Sequence, residues 1–253
     1  MSDTFIITEH SAGVHTLQIN RAEKKNALTL DMYRQMTQAL TEAEANPKIK
    51  AHLILGDENV FSAGNDIKDF MAGIGGNDDQ EAPPVLVFLD CVAGLTKPLV
   101  VGANGPAIGI GTTLLLHCDL VVLGEATRLK TPFVDLGLCP EAASSLLMPQ
   151  RLGHQRAAEL LLLGAEIDAH TALNWGLANR VVSPELVAST AKSMAQTLAE
   201  KPTEALMLSK KLMQSTEETT QIKQRIQEEG QHFLAQLSTE EARAAFLQFL
   251  TRK

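Results

Sequence analysis

Glu141 is the residue whose surroundings most need a chemical reason. It lies in "LGLCPEAASS", between Pro140 and a pair of alanines, among small or apolar neighbours. Taking an unpaired charge out of water is expensive. A lone acid in such company is either a proton carrier or the acid of a helix start, where a carboxylate complements the helix dipole. The residues alone leave both readings open. Asp135 is the other nearby acid and reads as a surface or strand-end group.

Two glycine-containing turns are the second feature. One is "FSAGND", Phe61 to Asp66; the other is "NGPAIGIG", Asn104 to Gly111. Each follows an apolar run and leads into a helical pattern, a context that leaves backbone N–H groups free at a helix start. Two such groups from turns adjacent in space would make an oxyanion hole. Glycines also simply permit tight turns. A dinucleotide fingerprint fails, because Leu114 stands where the third glycine is needed, and no Gly-Lys-Ser/Thr is present for a phosphate loop.

Elements of both kinds are needed to hold these turns. "TFIITEH" and "VHTLQIN" predict two strands around Ala12-Gly13. Thr29 caps a predicted helix through Asn46, with Leu30, Tyr33, Met36 and Leu40 on one face. "AHLILGD", "KPLVVGANG" and "DLVVLGEA" read as strands, the first two buried on both faces, and "GIGTTLLLHC" as a helix opening on glycines. A further helix is expected over about Val85–Leu95. Gly73–Pro84 reads as a loop, and from about residue 142 onward the pattern is almost wholly helical. Alternating strands and helices with a helical tail indicate an α/β core.

Composition narrows the partners. The 253 residues are 45% hydrophobic with net charge -8, which argues against general nucleic-acid binding. Cys91, Cys118 and Cys139 have no metal-ligand spacing, and the seven histidines form no cluster, so reduced thiols, no metal and a cytoplasmic location are expected. The first residues lack a secretory pattern, the last three lack a familiar ER-retention or peroxisomal tripeptide, and no apolar run approaches the ~20 residues needed to span a bilayer.

"INRAEKKNALTLDMY", "FSAGNDIKDF", "KPLVVGANGPAIGIGTTLLLHCDLVV", "TPFVDLGLCPEAASSLLMPQRLG", "LLLGAEIDAHTALNWGLANRVV" and "KPTEALMLSKKLM" together resemble the crotonase superfamily of enoyl-CoA hydratases and isomerases, although Ala22 stands where proline is usual. The resemblance implies an α/β crotonase spiral of ββα units over residues 1–195 and a C-terminal helical trimerisation region over 196–253. It implies that Asn65 and Ile110 supply the oxyanion N–H groups, with the Ile110 side chain narrowing the pocket. Lys25, Ala27, Ala63, Gly64, Asp66, Ile67, Gly109, Phe133 and Leu138 would bind the acyl-CoA. Phe133, Leu138, Ile110 and the segment Met71–Pro84 would shape the acyl pocket.

Hydratases of the superfamily use two glutamates, where this chain has Thr113 and Phe133. Glu141 matches instead the catalytic acid of the peroxisomal-type Δ3,Δ2-enoyl-CoA isomerases. The resemblance therefore implies double-bond transposition in unsaturated fatty acid oxidation. No cofactor is called for beyond the coenzyme A of the substrate, and the expected assembly is a homotrimer or a dimer of trimers. Thioester hydrolysis, weak hydration, or acyl-CoA binding without catalysis are the alternatives.

Overall fold

The computed structural model describes residues 5–74 and 82–251. The chain opens with β1 (Ile6–Ser11) and β2 (Val14–Ile19), an antiparallel pair, followed by α1 (Leu30–Ala45), β3 (Ala51–Leu55), α2 (Ile67–Ile74) and α3 (Pro84–Ala93). Next come β4 (Leu99–Ala103), β5 (Pro106–Ile108), α4 (Ile110–Thr113), β6 (Leu120–Gly124) and β7 (Arg128–Lys130). The second half holds α5 (Ser144–Leu152), α6 (His154–Leu161), β8 (Glu166–Asp168), α7 (Ala169–Trp175), β9 (Arg180–Val182) and α8 (Val187–Ala199). It closes with α9 (Thr203–Met213), α10 (Thr216–Leu237) and α11 (Glu240–Thr251). Most of the loop expected over Gly73–Pro84 lies outside the described residues.

Six strands form the main sheet in the order β1-β2-β3-β4-β6-β9, and every pair after the first is parallel. Parallel strands covered on both faces have no solvent side, so β3 and β4 are buried at every residue. Leu53 and Leu55 point to one face and meet Val187, Ala191, Ala195 and Ala199 of α8. Ile54 points to the other face and joins the larger core with α1 and α3. The period of two in a strand makes this division.

The late chain corrects the sequence reading. Two short strands interrupt the helices: β8 pairs with β7, and β9 completes the main sheet beside β6. Each is only three residues long, too short for periodicity to reveal. Three residues also suffice for β5, which pairs with β7 in the second sheet and carries the second glycine turn toward α4. Among the described residues no helix is long and apolar enough to cross a membrane.

Candidate active site

The two glycine turns lie against each other. The N–H groups of Phe61 and Ser62 both donate to Pro106 O at 3.1 Å, and Ile108 N–H donates to Ser62 O at 2.9 Å. Gly64 has φ +93° and a Cβ there would sit 3.1 Å from Ile108 O, so conformation and space both require glycine. Gly105 is stricter still: a Cβ there would lie 1.7 Å from Asn59 O.

Residues 25–28 run beside the first turn. Ala63 N–H donates to Lys25 O, Leu28 N–H to Gly64 O, and Asp66 N–H to Leu28 O. Asn26 is fully buried at φ 54° and holds this strip. Its side-chain oxygen accepts from Arg21 N–H at 2.8 Å, and its amide donates to Val60 O and Asp57. The Arg21 guanidinium donates to Ala27 O at 2.9 Å and to Asp66 at 2.8 Å. Burial alone would raise the Asp66 carboxyl; the Arg21 contact and the N–H groups of Asp69 and Lys68 together outweigh it and leave the group below its ordinary range. Lys25 is exposed, while Ala27, Ala63, Asp66 and Ile67 are half-buried.

Most N–H groups of these turns are engaged. Gly64 donates to Ser62 Oγ, Asp66 to Leu28 O, and Gly109 to Lys130 O. Those of Asn65 and Ile110 have no acceptor among the described residues. Asn65 lies in the first turn; Ile110 opens α4, where the first N–H groups have no helical partner.

Asn65 and Glu141 line one cavity. Its other walls are apolar: Phe70, Leu86 and Leu89, with Ile226, Phe233 and Leu234 of α10. The space is tight, about 20 Å³. Phe133, Leu138 and Ile110 are buried but do not line this cavity; α3 and α10 shape it instead. Phe133 packs next to Gly109, and its carbonyl accepts from Leu138 N–H at 2.8 Å.

Glu141 is buried, and Thr113 of α4 donates its hydroxyl to Oε1. Oε2 is buried with no hydrogen-bond partner among the described residues. Desolvation pushes this carboxyl up to about 8; the Thr113 hydrogen bond opposes the shift and the charge of Glu229 adds to it. Such a group is poised to take or give a proton near neutral pH. Asp135, the other nearby acid, is exposed and 3.9 Å from Lys130.

Glu141 does not cap the helix that follows it. That helix, α5, begins three residues later, and its start is capped by the carboxylate of Glu229 from α10. Nothing in the sequence pattern of α10 marks Glu229. Tyr33 lies on the apolar face of α1, as its spacing predicts, and its ring packs on Phe88. Its hydroxyl donates to Asn65 Oδ1. A buried tyrosine needs such a partner, and that need was the available signal. Desolvation first, and the Glu141 charge second, keep this phenol protonated. Among the described residues no group of three or more His, Cys, Asp or Glu could hold a metal ion.

A profile of enoyl-CoA hydratase/isomerase sequences matches residues 9–253. The chain belongs to the enoyl-CoA hydratase/isomerase family. It is similar to enoyl-CoA delta isomerase 2 of Rattus norvegicus, 32% identical over 98% of this chain and 64% of that protein. The chain thus spans less than two thirds of that relative's length. It is also similar to 1,2-epoxyphenylacetyl-CoA isomerase of Escherichia coli, 34% identical over 85% of this chain and 84% of that one. The structure of Pseudomonas aeruginosa OdaA superposes with TM-score 0.92 at 42% identity, covering 98% and 99% of the two chains. As a member of the enoyl-CoA hydratase/isomerase family, the chain has the α/β crotonase fold with a C-terminal helical region.

Proposed function

We propose that the protein is a Δ3,Δ2-enoyl-CoA isomerase with Glu141 as its single proton carrier. One observation carries this reading: Glu141 is the only carboxylate on the described wall of an apolar cavity, and its Oε2 has no partner among the described residues. The acyl group would lie between α3 and α10. Its thioester oxygen would accept from the free N–H groups of Asn65 and Ile110, and the coenzyme A would run along Ala63–Ile67 and Ala27 toward the exposed Lys25.

In this mechanism Glu141, unprotonated, takes a proton from C2. The electron pair moves into the dienolate, whose negative charge gathers on the thioester oxygen. Losing one of two such N–H donors costs roughly 3–4 kcal/mol of transition-state stabilisation. Glu141 then returns its proton to C4, and the double bond lies between C2 and C3. The carboxylate is restored, and no water is consumed. Adding water would call for a second acid–base group, and Thr113 and Phe133 hold the places where the resemblance puts the hydratase carboxylates.

The setting we propose is unsaturated fatty acid oxidation in the cytoplasm, by a trimer or a dimer of trimers, with residues 1–195 as core and 196–253 as the oligomerising helices. The test is turnover of 3-hexenoyl-CoA by wild type and Glu141→Gln, following the conjugated 2-enoyl product, its hydrate and free coenzyme A. Conjugated product, reduced by about 10² or more in the variant, is expected. Free coenzyme A or hydrate as the main product, or equal turnover by both proteins, would overturn the reading.

A further inference from the structure

The turn that carries Glu141 is strained. Ala142 and Ala143 follow it at φ 58° and 54°, two successive left-handed residues with side chains. Such conformations are disfavoured for residues with a Cβ and persist only where their surroundings enforce them. The enforcing contacts come from separate elements. Ser144 Oγ donates to Glu141 O at 2.6 Å. His117, which burial keeps neutral, donates from Nε2 to Ala142 O at 2.8 Å. Glu229 of α10 accepts Ala143 N–H at 2.6 Å on one oxygen and Ser145 N–H at 2.9 Å on the other. Ala143, the N-cap of α5, has no side-chain acceptor to cap the helix, so Glu229 supplies it from 86 residues away in the chain.

We propose that Glu229 is a positioning residue for Glu141: its two hydrogen bonds lock the left-handed turn that aims the catalytic carboxylate. The inference rests on Glu141 being the proton carrier. Several groups face the pair. Thr113 of α4 and Tyr33 of α1 lie near Glu141, while Arg225 one turn earlier on α10 and Cys139 lie near Glu229. Burial raises the Glu229 carboxyl, and the Ser145 and Ala143 donors and Arg225 oppose that rise. Both of its oxygens accept, which is the work of a carboxylate. Glutamine could keep only one bond, since its amide would turn N–H toward N–H.

The experiment compares kcat, KM and the pH profile of 3-hexenoyl-CoA turnover in wild type, Glu229→Gln, Glu229→Asp, Glu141→Gln and Glu229→Gln combined with Ala143→Gly. In Glu229→Gln, kcat should fall about ten- to a hundredfold, the loss a misplacement of about 1 Å can bring, with KM little changed. The acidic limb of kcat/KM should move to lower pH, because a like charge beside Glu141 has been removed. Glycine at position 143 adopts the left-handed turn without strain, so the double variant should recover part of kcat.

A purely structural Glu229 would lower the folded yield but leave the limb and the turnover of folded protein alone, and that result overturns the proposal. A double variant no better than the single one overturns it as well. If Glu229→Gln does not fold, Glu229→Asp is decisive: it keeps the charge but withdraws it by one methylene, and a wild-type kcat there overturns the proposal. Turnover retained in Glu141→Gln removes the premise instead. Turnover lost in Glu141→Gln beside a wild-type profile in Glu229→Gln keeps the base and rejects the positioning role.

Discussion

The Thr113 hydroxyl donates to Oε1 of Glu141, while the other carboxylate oxygen is buried with no partner among the described residues. One hydrogen bond fixes the group and favours its charged form; the bare oxygen and the apolar walls favour the neutral one. Burial prevails, and the carboxyl rests at about 8.

Isomerisation should therefore rise with pH through about 8, since the carboxylate must begin unprotonated. Thr113→Val removes the donor that favours charge. The acidic limb of kcat/KM should move to higher pH, and the rate at pH 7 should fall by roughly tenfold. A profile with its limb in the ordinary carboxylate range, or one that Thr113→Val leaves in place, would contradict this account.

The same burial costs stability. The folded carboxyl titrates at about 8 and an unfolded one near 4.5, so between these values the folded chain keeps a proton that the unfolded chain has released. Stability then falls as pH rises through that window. Glu141→Gln removes the titration. Its unfolding free energy should match wild type most closely near pH 4.5 and exceed it increasingly toward pH 8, by on the order of a few kcal/mol at most, with the melting temperature rising in step. Thermal melts across that range decide it, and a variant less stable than wild type at pH 8 would refute it.

Tyr33→Phe keeps the ring against Phe88 and deletes only the donor to Asn65 Oδ1. Loss of that bond should cost about 1 kcal/mol of stability. Release of the Asn65 side chain loosens the turn whose N–H faces the thioester, so kcat should fall about tenfold with coenzyme A affinity unchanged. Equilibrium binding and single-turnover rates separate the two effects.

Gly230 gives Leu86 its place in the cavity wall: a Cβ there would come within 2.7 Å of a Leu86 methyl. Gly230→Ala should push that side chain into the acyl path. The ratio of kcat/KM for a ten-carbon over a six-carbon 3-enoyl-CoA should drop by about tenfold, the loss expected when roughly a methylene or two of space is removed. Equal ratios in the two proteins would show that chain length is read elsewhere.

Much of the fold was legible because its signals are local. Thr29 caps α1 and accepts from Met32 N–H, as the pattern at that point requires, and the buried strands are continuous apolar runs. Strands β8 and β9 were not legible, because three residues that pair with partners about 40 to 60 positions away leave no periodic trace. At the site, the residues alone left Glu141 between proton carrier and helix cap, since both roles ask for an acid before a helix.

The sequence by itself determined the two glycine turns, since only glycine fits at Gly64 and Gly105, and it determined that a lone acid follows Pro140. Tertiary structure decided what that acid does. It brought Glu229 from α10 to cap α5, freeing Glu141 from that task, and it set Thr113 and Tyr33 around the cavity. The reason is physical: a cap or a turn is satisfied within a few residues, whereas a carboxylate's proton affinity depends on every group and every absence of water around it.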